Sequence, residues 1–193
     1  MGLFTSNPTA NQTPDATLGG IAVTGISNTG HSFTTASCSS FSPFGGGGDS
    51  DSQIKSARWF TFPTIPMRIV GVRLKFTWSM GGNTSISPGG GGGFASAFAT
   101  ARIDYSVNGG GAWTTFVTHT ASGNDSFSDS GSADINLGVP TVTSVQVRDL
   151  MSASTTATSG SLTDASADAD ASITISSIRL EITFLDGKVI TIM

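Results

Sequence analysis

In the stretch that opens at Ile69, apolar and polar positions alternate without a break from Val70 to Ser79. Val70, Val72, Leu74, Phe76 and Trp78 are separated by Gly71, Arg73, Lys75, Thr77 and Ser79. Near the C-terminus, within Ile173–Phe184, Ile178, Leu180, Ile182 and Phe184 are likewise separated by Arg179, Glu181 and Thr183. A period of two places one set of side chains on each face of an extended strand. Both segments therefore predict strands of an antiparallel sheet with one dry face and one wet face, the charges lying on the wet one.

Weaker alternation elsewhere extends the picture. Ala97–Val107 places Ala99, Ala101, Ile103, Tyr105 and Val107 inward and Arg102 and Asp104 outward. Asn108-Gly109-Gly110-Gly111 follows, a tight-turn signal because Asn and Gly accept positive φ, and Trp113–Thr120 returns. Ala133–Leu137 and Val142–Leu150 predict further short strands, as do Ile21–Val23, Ser32–Thr35 and the aromatic Arg58–Phe62. Pro63 and Pro66 make an extended, non-ladder connection into Ile69. Asp186-Gly187 turns the last strand back into Val189–Met193. Three stretches predict surface loops: Ser79–Phe94 from its Gly and Ser, Gly123–Gly131 from its polarity, and Ser152–Ala171 from its Ser, Thr, Ala and Asp. No window carries helical spacing. The prediction is an all-β, antiparallel, jelly-roll-like β-sandwich over residues 21–193, with long Gly/Ser-rich loops and an extended N-terminal arm over residues 1–20.

Composition narrows the function. Only 11% of the 193 residues are charged and the net charge is −4, which leaves no basic face for nucleic acid. The single cysteine, Cys38, excludes an intrachain disulfide and reads as a small inert side chain. There is no run of about 18 apolar residues to cross a membrane. No export signal is visible at the N-terminus. Met1-Gly2-Leu3-Phe4-Thr5-Ser6 fits the myristoylation pattern, but no basic patch follows as a second membrane signal.

Candidate chemistry is sparse. There are two histidines, His31 and His119, and one glutamate, Glu181, in the solvent register of a strand; His119 reads as an ordinary strand-face residue. Nucleophile-elbow, metalloprotease and phosphate-loop motifs are missing, so the expectation is a protein that is not an enzyme. Aspartates gather in predicted loops, and Asp164, Asp168 and Asp170 are the best candidates for a Ca²⁺ site, though their spacing is not that of an EF-hand. Trp59 and Trp113 are candidates for stacking on a glycan, whereas Trp78 falls in the inward register.

Two resemblances add to this. Ser106-x-Asn108-x-Gly110-x-Ala112-Trp113 resembles the Asp-box hairpin of sialidase-like propellers, departing at Asn108 and Ala112 and occurring once; in that family the motif is a structural turn. The wider order is an aromatic strand, a Pro-rich entry, Ile-Val-Gly-Val-Arg-Leu-Lys-Phe-Thr-Trp, and a terminal Ile-Ser-Ser-Ile-Arg-Leu-Glu-Ile-Thr-Phe. Over residues 57–185 it resembles jelly-roll β-sandwich domains of tailed-phage virion proteins, in which an early strand and the last one are sheet neighbours. That resemblance implies a structural virion protein, in capsid decoration, neck, tail or fibre, whose partners are copies of itself and other shell or tail proteins. The alternative is a carbohydrate-binding module or receptor-binding domain that uses Trp113 or Trp59 and a Ca²⁺ loop.

Overall fold

The computed structural model describes the chain except residues 1–4, 7–8, 17–20, 30–32, 44–48, 62–68, 109–111, 139–141, 143, 160–163 and 193; before Ile69 it describes side chains only at residue 37 and residues 39–43. Among the described residues twelve strands follow in order: β1 (Thr5–Ser6), β2 (Thr9–Ala16), β3 (Ile21–Thr29), β4 (Phe33–Ser42), β5 (Asp49–Thr61), β6 (Ile69–Ser87), β7 (Phe94–Val107), β8 (Thr114–Ser122), β9 (Asp125–Asn136), β10 (Val145–Thr158), β11 (Ala165–Phe184) and β12 (Val189–Ile192). They form two sheets whose pairings are all antiparallel. The first runs β1-β5-β10-β7-β8, with β2 also on β5; the second runs β3-β4-β11-β6-β9, with β12 also on β11. The chain is an all-β sandwich.

The two segments with the clearest alternation are neighbours in the second sheet. Leu180 of β11 lies across from Leu74 of β6, and neither is exposed at all. Between the sheets at this end lie Val72, Phe76, Trp78, Ile103, Val145, Val147, Met151, Ile173, Ile175 and Ile182. Phe116 of β8 meets Phe76 edge-on at 5.3 Å and Trp78 at 6.4 Å, joining one sheet to the other.

Three predicted loops are strand instead. β6 continues to Ser87, β9 begins at Asp125, and β10 and β11 occupy most of Ser152–Ala171. In the last of the three, Ser152–Ala171, the reason is alanine. Ala153 and Ala157 of β10, Ala165, Ala167, Ala169 and Ala171 of β11, and Ala95, Ala97, Ala99 and Ala101 of β7 all face inward and are buried. A methyl every second residue is too weak a signal to register as an apolar stripe, yet it fills the space between closely approaching sheets. Hydroxyls complete that end. The buried Ser40 hydroxyl of β4 stands 2.7 Å from the Thr155 hydroxyl of β10 and 3.2 Å from its carbonyl, so a pair of small polar side chains ties the two sheets.

Bulges correct several inward and outward assignments. In β11, Ser176 lies across from Thr77 but Arg179 across from Lys75, so two residues stand against Phe76 alone. The buried set consequently changes from odd numbers (Ile173, Ile175) to even ones (Ile178, Leu180, Ile182). At the strand's end Phe184 pairs with Ile69 and Thr183 with Gly71; Ile69 turns inward, and Val70, expected inside, is 42% exposed. A third bulge, in β8, leaves Phe116 without a partner between Val117 and Thr115. Past this point Tyr105 and Val107 are half-buried, while Asp104, expected in the wet register, is 1% exposed.

Candidate functional site

Asp104 keeps the outward parity of its strand but is covered there. Across from it on β10 stands Arg148, whose Nε donates to Asp104 Oδ2 at 2.9 Å and whose Nη2 lies 2.8 Å from the same oxygen. Arg102 Nε lies 3.1 Å from Oδ1, a close ionic approach without hydrogen-bond alignment. Trp113, just past the β7–β8 turn, closes the stack from outside, with the Arg148 guanidinium carbon 4.0 Å from its ring centroid. The turn is set by Asn108 at φ 58° and by the Ser106 hydroxyl, which donates to the Ala112 carbonyl at 2.6 Å. Trp113 is therefore half-buried and spends one face on a cation.

Trp59 lies directly across from Arg148 on the other side of β10, so the register brings both sequence-predicted tryptophans to the same arginine; the Trp59 side chain is outside the described residues. Farther along the same outer face, Phe94 and Phe98 of β7 are 54% and 55% exposed. Their cross-strand neighbours are small and polar: Thr158 and Ser154 on β10, and Ser122 on β8 beside Phe98. The sequence reading singled out neither phenylalanine, although both hold the outward parity of an alanine strand.

The aspartate candidates lie on the second sheet. Asp168 and Asp170 sit on the outer face of β11 and Asp164 just before it. Asp168 accepts from the Ser85 hydroxyl at 3.4 Å, and partial burial raises the Asp170 pKa above the ordinary carboxylate value. Residues i and i+2 of a strand are separated by roughly 6.5–7 Å, whereas oxygens sharing a Ca²⁺ each lie about 2.3–2.6 Å from it. Among the described residues no group of three His, Cys, Asp or Glu side chains is placed to hold a metal ion. His31 and the side chain of Cys38 lie outside the described residues.

His119 belongs to the interior side of β8, across from buried Ala101. Its Nε2 is 2.8 Å from Asp129 Oδ2 of β9, and its ring stacks on Phe127 at 5.7 Å. Because β8 and β9 are edge strands of different sheets, this contact closes a seam of the sandwich. A carboxylate-oriented histidine resembles part of a catalytic triad. Among the described residues no hydroxyl or thiol bonds its other nitrogen.

On the outer face of the second sheet the charges pair across strands. Arg73 Nε donates to Asp134 at 2.8 Å, and Lys75 Nζ lies 2.7 Å from Glu181 and 3.8 Å from Asp134. Hydrogen bonding to these cations holds Asp134 and Glu181 below the ordinary carboxylate pKa.

No family model and no curated protein matches the chain. Among solved structures it is similar to a family 11 carbohydrate-binding module from Clostridium thermocellum, with 9% identity over 85% of this chain and 88% of that one, at a TM-score of 0.24. It is also similar to the enzymatically active domain of tailspike protein 4 of bacteriophage CBA120, with 12% identity over 84% of this chain and 18% of that one, at 0.21. Infectious bursal disease virus, Gt strain, gives 13% identity over 93% of this chain and 41% of that one, at 0.17. Scores this low assign neither ancestry nor role, and the architecture stands on the strand pairing itself.

Proposed function

We propose that this chain is a non-enzymatic structural protein of a virus particle, and that it works by packing the outer face of its first sheet against copies of itself or another shell or tail protein. The observation that carries the packing role is the pair Phe94 and Phe98, each more than half exposed and each set among cross-strand Ser and Thr neighbours. Fully covering a phenylalanine contributes roughly 1.5–3 kcal/mol, and the sandwich itself leaves much of that contribution unused. The virion setting is supported by the strand-pattern resemblance to phage jelly-roll domains. The non-catalytic reading is supported by His119, which is engaged in joining two edge strands.

Light scattering after size exclusion tests the packing role, comparing the wild type with a Phe94→Ser/Phe98→Ser variant. The wild type should assemble as concentration rises, and the variant should remain monomeric with an unchanged melting temperature. A monomeric wild type that binds glycans on an array, with binding lost in Trp113→Ala, would replace this reading with the carbohydrate-binding one. The setting is tested separately by looking for the chain's peptides in purified particles.

A further inference from the structure

The bulge in β11 opens a pocket of about 220 Å³ on the outer face of the second sheet, lined at its polar rim by Lys75, Thr77, Ser132, Asp134, Ser177 and Arg179. We propose that this pocket is a binding site for a carboxylate group, with Arg179 as the residue that receives it. The inference is independent of the packing role, which uses the opposite sheet.

Charge comes first. Three of the chain's nine Lys and Arg residues (Arg73, Lys75 and Arg179) meet here two carboxylates, Asp134 and Glu181. Asp134 is taken by Arg73 and Glu181 by Lys75, at 2.8 and 2.7 Å. Arg179 is left with one approach to Glu181, Nε to Oε1 at 3.5 Å, and is 42% exposed. A guanidinium carries five N–H donors in a planar fork that matches a carboxylate. One cation is thus in excess, on a protein whose overall charge is negative.

Backbone shape comes second. Ser177 lies at φ 54°, a left-handed conformation that costs an L-residue about 1–2 kcal/mol and that glycine would adopt freely. Serine occupies it nonetheless, and its side chain lines the pocket beside that of Arg179. Strain of this kind, with a hydroxyl retained where glycine would relieve it, recurs where backbone is shaped around a ligand. The hydroxyls of Ser132 and Ser177 supply further donors for a carboxylate or for the polar atoms attached to it, while that of Thr77 already donates to the Ser176 carbonyl at 3.0 Å. A divalent cation is the poorer fit, since both carboxylates already face cations.

The carboxylate has two sources with shared chemistry, an acidic sugar and an acidic peptide side chain. Backbone and Arg Nε–H resonances of the ¹⁵N-labelled protein should be followed during titration with acetate, glucuronate and N-acetyl-glutamate, each against sodium chloride at matched ionic strength. Saturable shifts at Arg179 Nε–H and the Ser177 amide are expected, weakened about tenfold to a hundredfold in Arg179→Gln. Tighter glucuronate binding would identify an acidic sugar, and tighter N-acetyl-glutamate binding an acidic peptide. Ser177→Gly is the second variant: it should melt higher than the wild type and bind more weakly. The proposal is overturned if chloride produces the same shifts, or if Arg179→Gln binds as the wild type does.

Discussion

Gly82 of β6 is buried in the second sheet, across from Phe127 of β9. A Cβ added at Gly82 would overlap Phe127 Cε1, stand 2.5 Å from its Cζ and lie 3.0 Å from the Asp170 carbonyl oxygen. In Gly82→Ala the Phe127 ring must therefore leave its place, and with it the stacking on His119 that closes the β8–β9 seam. Overpacking of this kind costs about 1–3 kcal/mol. Replacing glycine by alanine in an otherwise compatible strand returns about 0.5–1 kcal/mol. The net loss is about 1–2 kcal/mol, which for a chain of this size lowers the melting temperature by roughly 2–8 °C. A double-mutant cycle with Phe127→Ala isolates the cause. With the ring gone, Gly82→Ala should cost less than about 0.5 kcal/mol, giving a coupling of about 1 kcal/mol or more. The His119 ring protons should also shift in Gly82→Ala, because the neighbouring aromatic ring has moved. An equal loss of stability in the two backgrounds would refute the reasoning and assign the cost to the Asp170 carbonyl instead.

Asp104→Ala should destabilise the protein by on the order of 3 kcal/mol in denaturant unfolding, because it leaves Arg102 and Arg148 gathered around a missing charge; Arg148→Met, which keeps cover over the strand, should cost clearly less than Arg148→Ala. Acid should weaken the outer ladder of the second sheet. Asp134 and Glu181 have folded pKa values below their ordinary 3.8 and 4.5, so their contribution is complete above those values and is lost as pH falls through the depressed ones. Melting curves of Asp134→Asn should accordingly fall less steeply on acidification than those of the wild type. Asp170 has the opposite sign: its pKa is raised by burial, stability is lost as pH rises through that value, and Asp170→Asn should melt higher than the wild type at neutral pH.

How much of this was legible depends on side-chain size. Leu74, Phe76, Trp78, Leu180 and Ile182 are large enough that their period alone announces a strand and its dry face, and each is buried as that period requires. The turns at Asn108 and Gly187 were equally plain, since φ of 58° and 82° calls for those residue types. Alanine carries too little hydrophobic weight, so the second half of β10 and the first half of β11 passed for loop. The bulge at Ser177 did leave a trace, the switch from Ile173 and Ile175 to Ile178 and Leu180, but a change of parity has meaning only against a partner strand.

Local alternation was thus sufficient for an all-β chain, its two principal strands and the side of each that stays dry, because those properties follow from the repeat of the backbone. Partnerships required the third dimension. That Arg148 stands between Trp59 and Asp104, that His119 meets Asp129 across two sheet edges, and that Arg179 lines a pocket with Lys75 and Ser132 all follow from strand order and register. These are relations between residues far apart in the chain, and no local pattern encodes them.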